Sequence, residues 1–150
     1  NKNSIGIELV NKGHKFGYQK FTKIQIKNLI SLCKKLKKKY KIKNNLILAH
    51  SDIAPIRKID PGEKFPWQYL SINGIGNYPK KIDIKNKYKK TQNNGLFFKN
   101  LYKIGYRYLN SKYKTKIIKN FQRKYRQKKI NGIIDFETLK LSQILSKSSN

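Results

Sequence analysis

The chain of 150 residues contains very few acidic residues, with seven Asp and Glu against 36 Lys and Arg and a formal net charge of +29. It has one cysteine, Cys33, which excludes a disulfide framework and a cysteine-based zinc knuckle. Methionine is absent, and no run of about 18 apolar residues predicts a membrane-spanning helix. We therefore expect a chain without a membrane span, in which Cys33 is a buried thiol on an apolar helix face.

The excess of positive charge has two interpretations. A charge of this size favours a polyanionic partner such as nucleic acid or an acidic polymer. However, Lys (32), Ile (21) and Asn (16) dominate the composition while Arg occurs four times, which A/T-rich codons alone would produce. We favour the compositional interpretation because the lysines are spread along the chain and no nucleic-acid-binding motif is evident. The sequence predicts no nucleic-acid partner and a monomer.

The first half of the chain has the pattern of an α/β unit. Residues 4–10 alternate between apolar and polar positions, which predicts a strand. A capping-box motif followed by apolar residues at helical spacing predicts a helix from about 23 to 40. Residues 46–49 form a short apolar run typical of a buried strand, and His50 follows where such folds expose their chemistry. We predict a mixed sheet with flanking helices over residues 1–72.

The second half has a different pattern. Residues 73–94 are rich in Gly, Asn and Lys, which is typical of a linker. Apolar residues at helical spacing return over 95–147 in three groups, and Asp135 is placed to cap the third helix. The sequence therefore predicts a small three-helix all-α module over residues 95–147.

The scarce acidic residues cluster around one proline-rich loop. Four of the seven lie in or near it: Glu8, Asp52, Asp60 and Glu63. Zinc accepts imidazole nitrogen and carboxylate oxygen, and a hydrolytic zinc site keeps one position open for water. His50 and Asp60 are therefore candidate ligands, Glu8 a candidate proton acceptor and Lys58 a candidate donor to a developing oxyanion. On spacing alone, the alternative that His50 and Asp60 form a hydrogen-bonded structural pair stays open, and such pairs are the commoner case.

Two segments resemble a known enzyme family. Residues 3–11 and 50–67, with the loop 11–18 between them, are similar to the type-2 N-acetylmuramoyl-L-alanine amidases, which are zinc enzymes. Residues 105–106, 121–126 and 131–135 resemble the peptidoglycan-binding module found in one subgroup of this family. The resemblance implies that residues 1–72 are the C-terminal part of an amidase domain and that residues 95–147 are a peptidoglycan-binding module.

The resemblance also implies roles and partners. It makes His50 and Asp60 zinc ligands, and it makes Glu8 and Lys58 catalytic. His14 and Arg57 are candidate substrate-binding residues. The implied reaction is hydrolysis of the amide between N-acetylmuramic acid and L-alanine in peptidoglycan or muropeptides, in the bacterial cell envelope.

One family feature has no counterpart in this chain. The family's first zinc histidine lies on a strand that precedes the segment matched by residues 4–9, so we expect the chain to be truncated at its N-terminus. The alternative expectation is a catalytically incomplete chain that acts only as a peptidoglycan-binding module.

Overall fold

The computed structural model describes residues 3–79, 89–91, 93–109 and 112–148. Much of the linker predicted at 73–94 lies outside the described residues. The described elements are six α-helices and one 3-10 turn: α1 (Lys23–Tyr40), the turn (Asn44–Leu46), α2 (His50–Ile53), α3 (Trp67–Ile72), α4 (Asn94–Ile104), α5 (Lys114–Tyr125) and α6 (Phe136–Lys147). None of these helices has the length and hydropathy required for a transmembrane segment.

Helix α1 confirms the prediction of a helix from about 23 to 40. The Thr22 hydroxyl oxygen accepts a hydrogen bond from the Gln25 amide at 3.2 Å, and the Gln25 side chain accepts from the Thr22 amide at 2.9 Å. This reciprocal pair satisfies two donors that the first turn of a helix leaves free. The helix ends where Lys41 adopts a left-handed conformation with φ of 52°. Its buried face carries Ile26, Leu29 and Ile30.

The predicted mixed sheet is wrong. Among the residues that the structure describes, neither 4–10 nor 46–49 forms a strand, and the isolated antiparallel bridge between Lys90 and Asp135 is the only strand-like pairing. A strand is stabilised by ladder hydrogen bonds to a neighbouring strand, and no described segment pairs with either run. Alternation of apolar residues indicates which face a strand would bury, but it does not supply the partner that the backbone requires.

Two hydrophobic clusters hold the helices together. The first cluster joins α1 to α3 and the segments around them: Ile26, Leu29, Ile30, Ala49, Phe65, Trp67, Leu70 and Ile75. The second cluster lies between α4, α5 and α6: Phe97, Leu101, Tyr106, Ile117, Ile118, Phe121, Tyr125, Ile134, Leu139, Leu141 and Leu145. Tyr78 packs against both clusters, and its hydroxyl donates to the Tyr125 carbonyl at 3.3 Å.

The three C-terminal helices lie where the apolar spacing predicts them, and their ends follow local rules. Gly105, with φ of 109°, terminates α4 in a conformation that costs glycine little. Asp135 caps α6, since its carboxylate accepts from the Thr138 amide at 3.0 Å and from the Thr138 hydroxyl at 2.8 Å. The predicted cap is therefore confirmed. The same carboxylate also pairs with the buried Arg126 guanidinium.

Candidate metal and active site

The structure brings the two predicted zinc ligands together. His50 Nδ1 lies 2.9 Å from Asp60 Oδ2, and their side chains are 48% and 57% exposed. The Ser51 amide donates to the Asp60 carbonyl at 3.1 Å, which holds the two ends of the loop side by side. His50 begins the short helix α2 instead of following a strand, so the predicted strand end is wrong although the pairing is present.

The two side chains of this pair are of types that bind zinc, but they are fewer than a catalytic zinc site uses. One imidazole nitrogen and one carboxylate oxygen, both reachable from solvent, are ligands that zinc accepts. Within residues 3–79, 89–91, 93–109 and 112–148, no group of three His, Cys, Asp or Glu side chains is placed to hold a metal ion. Catalytic zinc sites use three protein ligands, so the pair supplies part of such a set.

Lys58 and Arg57 lie in the same loop as Asp60. The amides of Arg57 and Lys58 donate to the Ala54 carbonyl at 3.0 Å and 2.9 Å, which folds the backbone into a tight turn. Lys58 is half-buried and Arg57 is exposed. No hydrogen bond or ion pair between described residues joins either side chain to His50 or Asp60. Their roles therefore remain predictions.

Glu8 is separate from the pair. Its side chain is exposed, in an irregular segment ahead of α1. No ion pair or hydrogen bond in the described part of the chain connects Glu8 to His50 or Asp60. The segment is anchored near its end, where the Gln25 side chain donates to the Val10 carbonyl at 2.8 Å. The catalytic role of Glu8 thus rests on the family resemblance.

His14 belongs to a second histidine–carboxylate pair. Its Nε2 lies 3.0 Å from Glu63 Oε2, and its ring stacks on Tyr18 with centroids 4.1 Å apart. Arg123 Nε approaches the same carboxylate at 3.6 Å. Burial raises the pKa of Glu63, but the hydrogen bonds from His14 and from a backbone amide, followed by the charges of His14 and Arg123, lower it by more, so this pKa lies below its usual value. Sequence reasoning noted Glu63 among the clustered acids but gave it no partner.

Gly62 allows the loop to pass close to this second pair. Its φ is +82°, a conformation that side chains rarely adopt. A Cβ atom at this position would lie 2.6 Å from the Tyr18 hydroxyl and 2.7 Å from His14 Cε1. The Tyr18 hydroxyl donates to the Pro61 carbonyl at 2.6 Å and accepts from the Lys64 amide at 2.9 Å. Glycine at 62 therefore permits the loop that carries Asp60 to approach the 13–18 turn closely, and the Tyr18 hydrogen bonds hold it there.

Asp52 lies two residues after His50, and the sequence alone gave it no role. It is buried, and Oδ2 accepts from the Ala49 amide at 2.8 Å while Oδ1 accepts from the Tyr106 hydroxyl at 2.6 Å. Oδ2 also pairs with the buried Lys124 ammonium, which lies 4.2 Å from the Trp67 ring centroid. Burial lowers the pKa of Lys124, but the Asp52 charge prevails and raises it. The sequence signal that could have pointed to Asp52 was the scarcity of acidic residues. A carboxylate that is buried requires a cationic partner.

The first part of the chain is similar to known proteins. Residues 1–63 match the family model described as N-acetylmuramoyl-L-alanine amidase. The chain is 46% identical over 84 residues to the N-acetylmuramoyl-L-alanine amidase AmiD of Escherichia coli, covering 53% of this chain and 30% of AmiD. It is 44% identical over 70 residues to the 1,6-anhydro-N-acetylmuramyl-L-alanine amidase AmpD of Haemophilus influenzae, covering 45% of this chain and 36% of AmpD.

Solved amidase structures resemble the chain beyond the family-matched segment. The complex of E. coli AmiD with anhydro-N-acetylmuramic acid-L-Ala-D-γ-Glu-L-Lys has a TM-score of 0.77 and 31% identity, covering 88% of this chain and 55% of AmiD. AmpDh3 from Pseudomonas aeruginosa has a TM-score of 0.76 and 25% identity, covering 89% of this chain and 56% of AmpDh3. The chain spans about a third of the curated amidases it matches and about half of the solved ones.

Proposed function

We propose that the protein hydrolyses the amide between N-acetylmuramic acid and L-alanine in peptidoglycan or muropeptides, with zinc as its cofactor. The observation that supports this most directly is the 2.9 Å approach of His50 Nδ1 to Asp60 Oδ2 inside the segment that matches the amidase family. The solved AmiD complex contains an anhydromuropeptide, and we extend that substrate class to this chain.

The proposed division of roles follows from the type and position of each side chain. His50 and Asp60 would supply two zinc ligands, and bound zinc lowers the pKa of a ligated water to about 7 and polarises a carbonyl. Lys58, which precedes Asp60 in the same loop, would donate to the oxygen that gains negative charge during hydrolysis. Glu8 would accept a proton, as the family resemblance implies. His14 and Arg57 remain candidates for contacts to the muropeptide.

The incomplete donor set favours a second candidate function. Because the described residues supply no third metal-ligating side chain beside His50 and Asp60, the chain alone would bind zinc weakly. In this candidate, residues 95–147 hold peptidoglycan and no hydrolysis occurs. Both candidates place the protein in the bacterial cell envelope, where its proposed partner is found.

A zinc titration with matched histidine variants tests the proposed metal site. We expect calorimetry to show zinc binding to the chain and a loss of about tenfold or more in affinity for His50→Ala or Asp60→Ala. His14→Ala is the matched control for zinc binding, because its imidazole is also paired with a carboxylate but is not one of the proposed zinc ligands. Equal losses in His50→Ala and His14→Ala would contradict the assignment of the zinc ligands.

A parallel assay separates hydrolysis from binding. Purified muropeptide is incubated with the chain and zinc, and the released L-alanine amine is measured, while retention on purified peptidoglycan sacculi is measured in the same preparation. Amine release that is abolished by Asp60→Ala supports the amidase. Retention on sacculi without any amine release supports the binding module and contradicts catalysis by this chain.

A further inference from the structure

Helix α5 bonds directly to the backbone of the loop that carries the candidate site. Asn120 is 1% exposed, and its side-chain nitrogen donates to the carbonyls of Pro55 and Lys58 at 2.8 Å each. A carboxamide has two N–H donors, so both are used on this loop. One bond is to Lys58 itself, and Asp60 follows two residues later. Asn120 therefore sets the path of the backbone that enters the site.

The orientation of the Asn120 carboxamide is itself fixed. Arg123, one turn further along α5, donates from Nη1 to Asn120 Oδ1 at 3.0 Å. The same guanidinium approaches Glu63 at 3.6 Å, on the other side of Asp60 in sequence. With its oxygen held by Arg123, the carboxamide presents its nitrogen to the loop. Asn120 and Arg123 together contact the loop near both ends of the segment 55–63.

Two more side chains, one in the last turn of α5 and one just after the helix, contact the two ends of the loop. Lys124 pairs with buried Asp52, two residues after His50. Gln127 donates to the Phe65 carbonyl at 2.8 Å. Helix α5 and the residues that follow it thus contact the loop at its start, its middle and its end. A surface loop without such contacts would be mobile, whereas site residues have to be held to within about 0.5 Å.

We propose that Asn120 is a positioning residue, through which the C-terminal helices hold Lys58 and Asp60 in place. The identity of the site rests on the proposed function, but the positioning itself does not. The C-terminal helices are then a structural part of the site, in addition to any contact that they make with peptidoglycan.

The test compares two buried carboxamides on the same helix. Asn120→Leu removes both bonds to the loop. Gln122→Leu is the matched control, since Gln122 is 0% exposed and its side-chain hydrogen bonds to described residues all lie in the C-terminal part of the chain, with Asn131, Gly132, Ile133 and Thr138. Hydrogen exchange of the Arg57 and Lys58 amides is measured by NMR, together with the zinc affinity of each variant. Urea unfolding of both variants identifies any exchange that occurs by global opening.

We expect Asn120→Leu to accelerate exchange at Arg57 and Lys58 by about tenfold beyond the change in global stability, with no such excess in Gln122→Leu. Zinc affinity should fall by about tenfold in Asn120→Leu only. Equal effects of both variants on loop exchange would overturn the proposal, because both would then act through general destabilisation. If wild-type chain binds no zinc, the proposed function fails, while the exchange comparison still decides the positioning.

Asn120→Ala, which also removes both bonds to the loop but adds no bulk, replaces Asn120→Leu in the same comparison if the latter does not fold. A second variant tests whether the C-terminal part of the chain also holds the far end of the loop. Gln127 is only half-buried, so Gln127→Ala removes the bond to the Phe65 carbonyl with little risk to the core. We expect faster exchange of the Phe65 amide, which donates to the Gly62 carbonyl, and unchanged exchange within α6. Unchanged exchange at Phe65 would contradict positioning of this loop by the residues that follow α5.

Discussion

The two halves of the molecule differ in how completely they bury their own apolar residues. Helices α4 to α6 enclose a cluster in which Phe97, Leu101, Ile117 and Phe121 are fully buried. The first half leaves many large apolar side chains exposed: Ile5, Ile7, Val10, Phe16, Ile24, Leu46, Leu48 and Ile53. Since burial of apolar surface is the main stabilising term in folding, the C-terminal half is the more self-sufficient of the two. The candidate site therefore lies in the half that depends more on outside support.

The buried charges show the same difference. In the C-terminal half, Arg126 pairs with Asp135 and Glu137, all within that half. In the first half, the buried carboxylate of Asp52 pairs with the ammonium group of Lys124 in helix α5, its one cationic partner among the described residues. A buried charge without a partner is strongly destabilising, so the first half requires the second. This asymmetry predicts that cutting the link destabilises the first half more than the second.

The largest expected effect is that of Lys124→Met, which cuts this link. The substitution leaves the Asp52 carboxylate buried without its cation, and loss of one partner of a buried pair costs about 3–5 kcal/mol. The free energy of unfolding from urea denaturation measures the loss. Lys116→Met on the exposed face of α5 is the control and should change stability by less than about 0.5 kcal/mol. Similar losses in the two variants would contradict a stabilising link.

A second prediction compares the two cores with one substitution. Ile75 and Ile117 are both 0% exposed, and each belongs to one cluster. Ile117→Ala should cost about 4 kcal/mol and Ile75→Ala about 2 kcal/mol, because the more loosely enclosed first cluster can relax around the cavity. Thermal and urea unfolding of both variants measure this. A larger loss for Ile75→Ala would reverse the ranking of the two halves.

The features of this structure that the sequence predicts correctly are those set by interactions between residues close together in the chain. Thr22 and Gln25 lie three residues apart and cap α1 without tertiary help, and Asp135 caps α6 in the same way. The strands predicted at 4–10 and 46–49 failed because a strand depends on a distant partner. The pairing of His50 with Asp60 was predictable from the loop and the family resemblance. The link from Asp52 to Lys124 spans 72 positions, and no local pattern indicates it.

A third prediction tests the capping box of α1, where support is local to the first half. Thr22→Ala removes the hydroxyl that accepts from the Gln25 amide and should cost about 1 kcal/mol. Thr22→Ser is the matched control, since serine retains the accepting oxygen and should restore most of the stability. If Thr22→Ala and Thr22→Ser lose the same stability, the cap is not the cause. Urea unfolding followed by circular dichroism is sufficient for this comparison.

The smallest expected effect concerns Glu63, which links His14 in the first half to Arg123 in the second. Burial raises the pKa of Glu63, but the His14 hydrogen bond and the other interactions of this carboxylate, including the Arg123 charge, lower it by a larger amount. The pKa in the folded state therefore lies below the ordinary 4.5. A lowered folded pKa gives stability that is fully present above the unfolded value and is lost as the pH falls through the folded value. Glu63→Gln should therefore cost less than about 1 kcal/mol near neutral pH.

The sign of this pH dependence makes the link testable. Wild type and Glu63→Gln should differ most in free energy of unfolding above pH 4.5 and should converge as the pH falls below that value, where wild-type Glu63 becomes protonated. Asp60→Asn is the comparison variant for the link between the halves, because the Asp60 carboxylate is exposed. No hydrogen bond or ion pair between described residues joins this carboxylate to α5. If the difference in free energy of unfolding between wild type and Glu63→Gln instead grew as the pH fell, the ionised Glu63 carboxylate would not stabilise the folded state. Arg123 would then not stabilise the junction between the two halves through Glu63.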